Sequence, residues 1–345
     1  MADRFSKMAG STGAPGGVSG QDDSTDASVS GDTITGGSVP GSPGISAFSL
    51  ICQQPSPMPV VVAVPHAGRA YAAGLLERMR NPAFAAPKLE DRYVDLLATA
   101  VAKETGAALL IAHAPRAMID LNRDTDDVDW DMLGVSPPDA SAMPVSRITG
   151  RARNGLGLIP RRLPGLGELW KRRLDPAELE ARIAAIHAPY HEALAQTLAA
   201  LRSRWGAALL IDLHSMPPLS ARGGMEPAPE FVVGDRFGAS CHSNLVAKVF
   251  HYFSEQDRLA AHNRPYAGGY VLERHAARQQ GIHCLQLEID RQSYLDSRMV
   301  EKGPGFDEMI ALLVGLVRQL SEEVATMGAK AIAAESEAMW RDAAE

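Results

Sequence analysis

Residues 207–215 read AALLIDLHS, an unbroken apolar run that ends in an aspartate, a histidine and a serine. Such a run is typical of a strand that is buried on both faces, as in a parallel sheet. A second apolar run, Val60–Val64, is likewise followed by a proline and His66. Because helical patterns separate these runs, the sequence predicts an α/β fold with a mainly parallel, mixed sheet that is flanked by helices.

Further strands and helices alternate along the chain. The additional strands are predicted over residues 107–112, 231–233 and 284–289, and the helices over residues 89–105, 175–205 and 307–325. The second of these helices begins with Asp175 as N-cap and Pro176 in the first turn, and Pro189 predicts a kink within it. No internal repeat or second linker interrupts the pattern, so we expect a single catalytic domain.

Composition sets the expected boundaries of that domain. Residues 1–45 contain ten glycines and eight serines. A segment of this composition buries too little apolar surface to offset the entropy cost of ordering it. We therefore predict a disordered tail over residues 1–45, a catalytic domain over 46–330 and a helical C-terminal tail over 331–345.

Charge and cysteine content exclude several classes of protein. The net charge of −7, from 41 acidic and 34 basic residues, disfavours a nucleic-acid or anionic-membrane binder. The three cysteines, Cys52, Cys241 and Cys284, are too widely spaced for a disulfide framework or a CxxC metal site. The sequence has neither a membrane-spanning run nor a secretory signal, so we expect a cytoplasmic protein with a small-molecule substrate. A homo-oligomer is compatible with this composition.

Polar side chains gather where the predicted strands end. His66, His214 and Glu288 lie at or just beyond three such ends. In open α/β sheets the active site lies outside the carboxyl ends of the strands. Zinc in hydrolases takes three ligands from histidine, aspartate and glutamate and leaves one position for water. The two histidines are therefore candidate zinc ligands, and Glu90, Asp91 or Asp95 is the candidate third ligand.

The same region supplies candidates for acid–base chemistry and for anion binding. Glu288 lies in an apolar strand, where burial would raise its pKa and suit it to act as general base. Arg116 and Arg123 follow the second predicted strand. Arginines bind carboxylates through paired hydrogen bonds, so these two residues imply an anionic substrate or a developing oxyanion.

A set of short segments occurs along the chain in a family-specific order. They are Pro65-His66-Ala67-Gly68, Asp120-Leu121-Asn122-Arg123, Gly157-Leu158-Ile159-Pro160, Pro189-Tyr190-His191, Asp212-Leu213-His214-Ser215, Asn263-Arg264-Pro265-Tyr266-Ala267-Gly268-Gly269 and Gln286-Leu287-Glu288. Over roughly residues 55–300 the chain thereby resembles the N-formylglutamate amidohydrolases. The resemblance implies a fold similar to zinc carboxypeptidases and aspartoacylase. It also implies hydrolysis of N-formyl-L-glutamate to formate and L-glutamate, a reaction of histidine degradation.

The resemblance assigns roles to the metal and catalytic residues. His66 and His214 match the metal histidines, and Asp91 best matches the third ligand of one Zn²⁺ per chain. Glu288 matches the base that activates water. Arg116 would polarise the scissile carbonyl.

The resemblance also bears on the binding of a small anionic N-acyl amino acid. Asn122 and Arg123 match the pair that holds the substrate carboxylate, and Arg264 and Arg274 are further candidates for substrate binding. Tyr270 stands where some members of the family carry a histidine, so the reaction type follows more directly from the resemblance than the choice of substrate does.

Alternative functions stay open from sequence. A peptidase similar to zinc carboxypeptidases, an amidohydrolase acting on another N-acyl amino acid, or a non-enzymatic binding module would share this fold. His187 and His191 have the spacing of the HExxH zincins, but the glutamate is missing and Pro189 interrupts the helix. Ser215 does not lie in a Gly-x-Ser-x-Gly motif, which disfavours a serine hydrolase.

Overall fold

The computed structural model describes residues 31–135, 152, 154–220 and 227–342. Within these residues, eight strands form one sheet and two further strands form a small hairpin. The strands are β1 Asp32–Gly36, β2 Phe48–Cys52, β3 Val60–Val64, β4 Ala108–Ala112, β5 Arg162–Leu163, β6 Gly167–Glu168, β7 Ala208–Met216, β8 Phe231–Gly234, β9 Ala260–His262 and β10 Ile282–Asp290.

The large sheet is mixed, with a parallel centre. Its strand order is β1-β2-β4-β3-β7-β10-β8-β9. The four central strands, β4, β3, β7 and β10, run parallel to one another. On one side β2 is antiparallel to β4, and on the other side β8 is antiparallel to β10. Every residue of β3 and β7 is buried. The prediction of a mainly parallel, mixed sheet is therefore confirmed.

Helices cover both faces of the sheet. They are α1 Ala73–Arg78, α2 Pro82–Leu89, α3 Val94–Thr105, α4 Trp130–Leu133, α5 Pro176–Arg182, α6 Ala188–Trp205, α7 Ser243–Glu255, α8 Tyr270–His275 and α9 Phe306–Asp342. Successive residues of a strand face opposite layers. Val61 and Ala63 accordingly pack in one apolar cluster with α6, whereas Val60 and Val62 pack in a second cluster with α3, α7 and α9.

The helix predicted over residues 175–205, with a kink at Pro189, contains a π-helical turn just before that proline. The Asp175 side chain accepts the backbone N–H of Ala177 at 2.9 Å and caps α5. A π-helical turn, Ile183–His187, then joins α5 to α6, and Pro189 falls in the first turn of α6. Proline lacks an N–H and clashes with the preceding turn of a regular helix. The wider π-helical turn accommodates Pro189, so α5 and α6 follow one another without a loop between them.

The N-terminal boundary predicted at residue 45 is wrong for residues 31–45. Strand β1 pairs antiparallel with β2, Ser38 donates its N–H to Ala185 O at 3.0 Å, and Val39 is only 2% exposed. Four of the five β1 residues are exposed, so this strand is held by backbone pairing that a composition argument does not detect. Residues 1–30 of the predicted tail lie outside the described residues.

The predicted boundary at residue 331 does not separate a distinct segment either. Helix α9 continues without a break from Phe306 to Asp342, well beyond the predicted end at residue 325. Residues 343–345 lie outside the described part of the chain. In that part, no helix combines the length and the apolar character needed to cross a membrane.

The position of β1 predicts how truncation affects stability. A chain that starts at Ser46 should melt at least about 5 °C below one that starts at Gly31. The shorter chain lacks the β1–β2 pairing and the buried side chain of Val39. Burial of that one side chain contributes about 1.5–3 kcal/mol to the free energy of unfolding. Differential scanning calorimetry of the two truncated chains measures the difference. Equal melting temperatures would contradict a stabilising role for β1.

Candidate active site

A cavity of about 380 Å³ opens at the carboxyl ends of the central parallel strands. Its lining includes His66, Lys88, Asp91, Arg116, Asn122, Arg123, His214, Ser215, Tyr266, Gln286, Glu288 and Arg291. His66 follows β3, His214 lies near the end of β7, and Glu288 lies near the end of β10. The sheet therefore brings the predicted polar strand ends into one cavity, as expected for an open α/β fold.

His66, Asp91 and His214 form a buried group with the geometry of a metal site. Each offers one ligand atom, and these atoms all lie within 4.8 Å of one another. Asp91 Oδ2 lies 3.6 Å from His66 Nδ1 and 3.1 Å from His214 Nδ1. The Asp91 backbone N–H donates to His66 O at 2.9 Å, which fixes the loop before α3 beside the end of β3.

The outer nitrogens of both histidines are held by carboxylates. His66 Nε2 lies 2.7 Å from Asp120 Oδ1, and His214 Nε2 lies 2.9 Å from Asp212 Oδ2. An ionised carboxylate only accepts hydrogen bonds, so each imidazole donates from Nε2, and the lone pair of a neutral ring is then on Nδ1, the nitrogen nearer Asp91. Metal-binding histidines commonly have this second partner, which orients the ring.

The charges around the two imidazoles favour a cation. Burial alone would lower the pKa of His214, but the carboxylates of Asp212 and Asp91 raise it well above its ordinary value. Burial opposes ionisation of Asp120 as well, yet Arg116 and His66 hold its pKa well below the usual range. The carboxylate of Asp120 is therefore ionised, and the carboxylates beside His214 favour positive charge on its ring.

The residues present fit a divalent metal ion. His66 Nδ1 is buried and has no hydrogen-bond partner among the described residues, as expected of an atom that coordinates an ion. Two imidazoles and one carboxylate are a common donor set for zinc in hydrolases. The three candidate ligands named from sequence thus lie together, whereas Asp95 pairs with Arg69 at the surface and Glu90 pairs with Arg92.

Arg291 holds the Oδ1 oxygen of Asp91. The sequence assigns no role to this arginine. Its Nη2 donates to Asp91 Oδ1 at 3.1 Å and to Glu90 O at 2.7 Å, and its Nε donates to Ser215 Oγ at 3.1 Å. These bonds leave Asp91 Oδ2 directed at the histidines. The one sequence signal was the position of Arg291 immediately after the last strand.

Glu288 is oriented by a chain of side-chain amides. It lies opposite His214 in the parallel register of β10 and β7. Gln286 Nε2 donates to Glu288 Oε1 at 2.8 Å, and Asn122 Nδ2 donates to Gln286 Oε1 at 3.2 Å. Asn122 Oδ1 in turn accepts the backbone N–H of Val271 at 3.0 Å. Burial raises the pKa of Glu288, as a general base requires.

Two predicted arginines reach the cavity. Arg116 donates from Nε to Asp120 Oδ2 at 2.9 Å, and its side chain is 28% exposed. Arg123 donates to Leu156 O and to Asn122 O, both at 2.9 Å. Both residues line the cavity together with Asn122. The structure therefore places positive charge beside the histidines, within reach of a small anionic ligand.

The structure does not bring Arg264 and Arg274 into this cavity. Arg264 is exposed and lines a separate surface cavity. Arg274 lies on the exposed side of α8 and donates to Tyr270 Oη at 2.7 Å. Arginine chemistry alone did not indicate which side of each segment faces the cavity, so we withdraw both from the candidate substrate-binding set.

Comparison with known proteins places this site in a family. A model of the N-formylglutamate amidohydrolase family matches residues 58–295, which is more than half of the chain. The chain belongs to the N-formylglutamate amidohydrolase family. The matched range contains all of the cavity residues described above, from His66 to Arg291.

Individual members of the N-formylglutamate amidohydrolase family agree with this assignment. The N-formylglutamate deformylase of Pseudomonas aeruginosa is 28% identical over 252 residues, which cover 70% of this chain and 84% of that protein. The deformylase of Pseudomonas putida is 28% identical over 249 residues, with 69% and 82% covered. The crystal structure of N-formylglutamate amidohydrolase from Ralstonia eutropha JMP134 superposes with a TM-score of 0.72 at 30% identity, covering 81% of this chain and 99% of that one.

The carboxylate–histidine pairs predict how metal affinity responds to substitution. Asp120→Asn and Asp212→Asn should each weaken zinc binding by about 10–100-fold, measured by competition with a chelating indicator. Asp120→Asn should have the larger effect. Both Asp120 oxygens accept hydrogen bonds, so an amide NH₂ must face a donor, whereas Asp212 Oδ1 has no hydrogen-bond partner in the described structure.

A matched control separates this effect from a general loss of negative charge. Asp124 lies in the same loop as Asp120 but is exposed. Asp124→Asn should bind zinc as the unaltered protein does. Unchanged zinc affinity in both Asp120→Asn and Asp212→Asn would contradict the assignment of His66 and His214 as ligands.

Proposed function

We propose that this protein is a zinc-dependent N-formylglutamate deformylase that hydrolyses N-formyl-L-glutamate to formate and L-glutamate in histidine degradation. The observation that carries the proposal is the buried group of His66, Asp91 and His214, with Glu288 beside it and two arginines in the same cavity. Membership of the N-formylglutamate amidohydrolase family and the names of the Pseudomonas relatives support the choice of substrate.

His66, Asp91 and His214 would hold the zinc ion. When bound, zinc supplies a Lewis acid and lowers the pKa of water. The protein fixes the donors in advance, because Asp120 and Asp212 orient the two rings and Arg291 orients the carboxylate of Asp91. This arrangement avoids reorganisation of the ligands when the substrate arrives.

Glu288 moves the proton in the proposed reaction. Its carboxylate takes a proton from the attacking water and then delivers it to the departing amine of glutamate. The buried position raises the pKa of Glu288 toward the range in which one group can perform both steps. The hydrogen bond from Gln286 holds Oε1, so Oε2 is the oxygen available for proton transfer.

The two cavity arginines bind different negatively charged groups of the substrate in the proposed reaction. Arg116 is fixed to Asp120 through Nε, and we assign its remaining N–H groups to the formyl oxygen, where negative charge develops during attack. Asn122 and Arg123 hold a substrate carboxylate. The second N–H of Asn122 Nδ2 is available for this role, because the nearby His214 Nε2 donates to Asp212 and cannot accept.

Cavity size favours a small N-acyl amino acid over a peptide. The volume of about 380 Å³ lies near the lower end of the range for small-molecule sites. We also propose a reducing, cytoplasmic setting, which the three buried free cysteines and the acidic net charge support. Homo-oligomerisation stays a prediction.

Glu288 and Arg123 should affect different kinetic constants. Glu288→Gln should keep zinc and bind substrate but lower kcat by about 10²–10⁴-fold, because the amide cannot take the proton. Stopped assays of formate release, with metal content measured on the same samples, test this expectation. Asp290→Asn, at the end of the same strand, is the control and should keep normal turnover. A Glu288→Gln enzyme with normal kcat would remove Glu288 from the mechanism.

Arg123→Ala should mainly raise KM, by about 10–150-fold, since one charge-assisted hydrogen bond to the substrate is lost. Arg264→Ala removes an arginine that lies outside the cavity and should leave KM unchanged. Equal effects of the two arginine substitutions would contradict the placement of the substrate carboxylate.

A substrate panel tests the proposed function directly. The zinc-loaded protein should hydrolyse N-formyl-L-glutamate with a kcat/KM at least about tenfold above its values for N-acetyl-L-glutamate and for a C-terminal glutamate dipeptide. Removal of zinc with a chelator should abolish the activity, and added zinc should restore it. Preference for the dipeptide would favour the peptidase alternative, and binding without turnover of any substrate would favour the binding module.

A further inference from the structure

Three buried histidines lie behind the cavity and have no role in the proposed chemistry. His187 ends the π-helical turn, His191 lies on α6 and His275 ends α8, and they are 1%, 0% and 7% exposed. The ring centroids of His187 and His191 are 4.4 Å apart, and those of His191 and His275 are 5.2 Å apart. The Tyr270 ring packs against His187 and His191.

Two of these rings bind backbone carbonyls on either side of Asn122. His191 Nε2 lies 3.0 Å from Leu121 O, and His187 Nε2 lies 3.0 Å from Arg123 O. A carbonyl oxygen only accepts hydrogen bonds, so both rings carry a proton on Nε2. The histidines therefore hold the backbone of the segment whose side chains, Asn122 and Arg123, line the cavity.

The contact with the third ring, His275, fixes which ring donates and which accepts in the network. His275 Nε2 lies 2.9 Å from His191 Nδ1. In the neutral ring, Nδ1 of His191 must accept because Nε2 already carries the proton, so His275 donates from its own Nε2. Burial lowers the pKa of all three histidines, that of His275 to about 4, and the nearby Arg274 lowers each further. The network is therefore uncharged at neutral pH.

We propose that His187, His191 and His275 are positioning residues that set the substrate-binding segment 121–123 through hydrogen bonds from their neutral Nε2–H tautomers. The proposal rests on the proposed function, in which Asn122 and Arg123 hold the substrate carboxylate. The segment is held on its cavity side by the Asn122 amide and from behind by the histidines. Loss of the rear bonds would displace the two substrate ligands while leaving His66, Asp91 and His214 in place.

The tautomers test the proposal without an activity measurement. Long-range ¹H–¹⁵N spectra of the full-length, zinc-loaded protein at pH 7 should show His187, His191 and His275 as Nε2–H tautomers. Single His→Gln variants assign the signals. A His191 protonated on Nδ1 only would overturn the network because it leaves Leu121 O without its donor. A positively charged His191 would overturn it as well, because Nδ1 could then no longer accept from His275.

Kinetic constants test whether the network positions the substrate ligands. His191→Leu should raise KM for N-formyl-L-glutamate by about 5–150-fold, the range expected when a buried carbonyl loses its partner, with zinc content close to normal. His191→Gln should recover most of the affinity, because the glutamine amide can place an N–H near the position of Nε2. A wild-type KM in His191→Leu would overturn the proposal.

His283 supplies the matched control. It is a buried histidine on β10, 3% exposed, with its pKa lowered to about 4 by burial, and its Nδ1 has no hydrogen-bond partner in the described structure. His283→Leu should keep the normal KM. A KM increase equal to that of His191→Leu would overturn the proposal, because the increase would then follow from replacing any buried histidine in the core. If His191→Leu does not fold, the KM of His191→Gln and the tautomer spectra test the proposal in its place.

The outcomes separate this proposal from the proposed function. Absence of N-formylglutamate hydrolysis by the unaltered protein would contradict the function, whereas the tautomers would still report on the network. Normal hydrolysis combined with other tautomers, or with a normal KM in His191→Leu, would contradict only the network.

Discussion

Burial of carboxylates around two imidazoles is the constraint on which the site depends. Asp91, Asp120, Asp212 and Glu288 are all buried near the carboxyl ends of the central strands. Such charge is costly to bury unless positive groups and hydrogen bonds compensate it. Arg116 and Arg291 supply part of the compensation, and a metal ion held by His66, Asp91 and His214, as we propose, would supply more. These two arginines and the candidate metal ligands therefore belong to one electrostatic unit.

The parallel register of the central strands determines which of these buried side chains are neighbours. Residues that are adjacent across parallel strands lie side by side, and His214 is paired with Glu288 in this way. His66 instead lies beyond the end of β3, where the chain leaves the sheet and can approach Asp91. Glu288, the proposed base, is consequently placed by the sheet itself, whereas the candidate metal ligand Asp91 comes from a loop outside the sheet.

The sequence predicted the parts of the structure that local chemistry controls. The buried runs around Val62 and Leu210 specify parallel strands, and the polar residues that follow them mark the active-site edge. Strand β1 was missed because pairing with β2, not apolar composition, holds it. The partner of His66 was also beyond sequence reasoning, since Asp120 is 54 residues from His66 and only the fold brings them together.

Hydrogen-bond geometry, and not charge alone, explains the choice of residue at position 291. Arg291 donates to Asp91, to Ser215 and to the carbonyl of Glu90 in three directions from one planar group. A lysine would carry the same charge, but its compact ammonium cannot span these acceptors from a single rigid plane. Since Oδ1 of Asp91 would then lose a fixed partner, the carboxylate could rotate away from the histidines. The orientation of Asp91 toward the two histidines therefore depends on a guanidinium at this position.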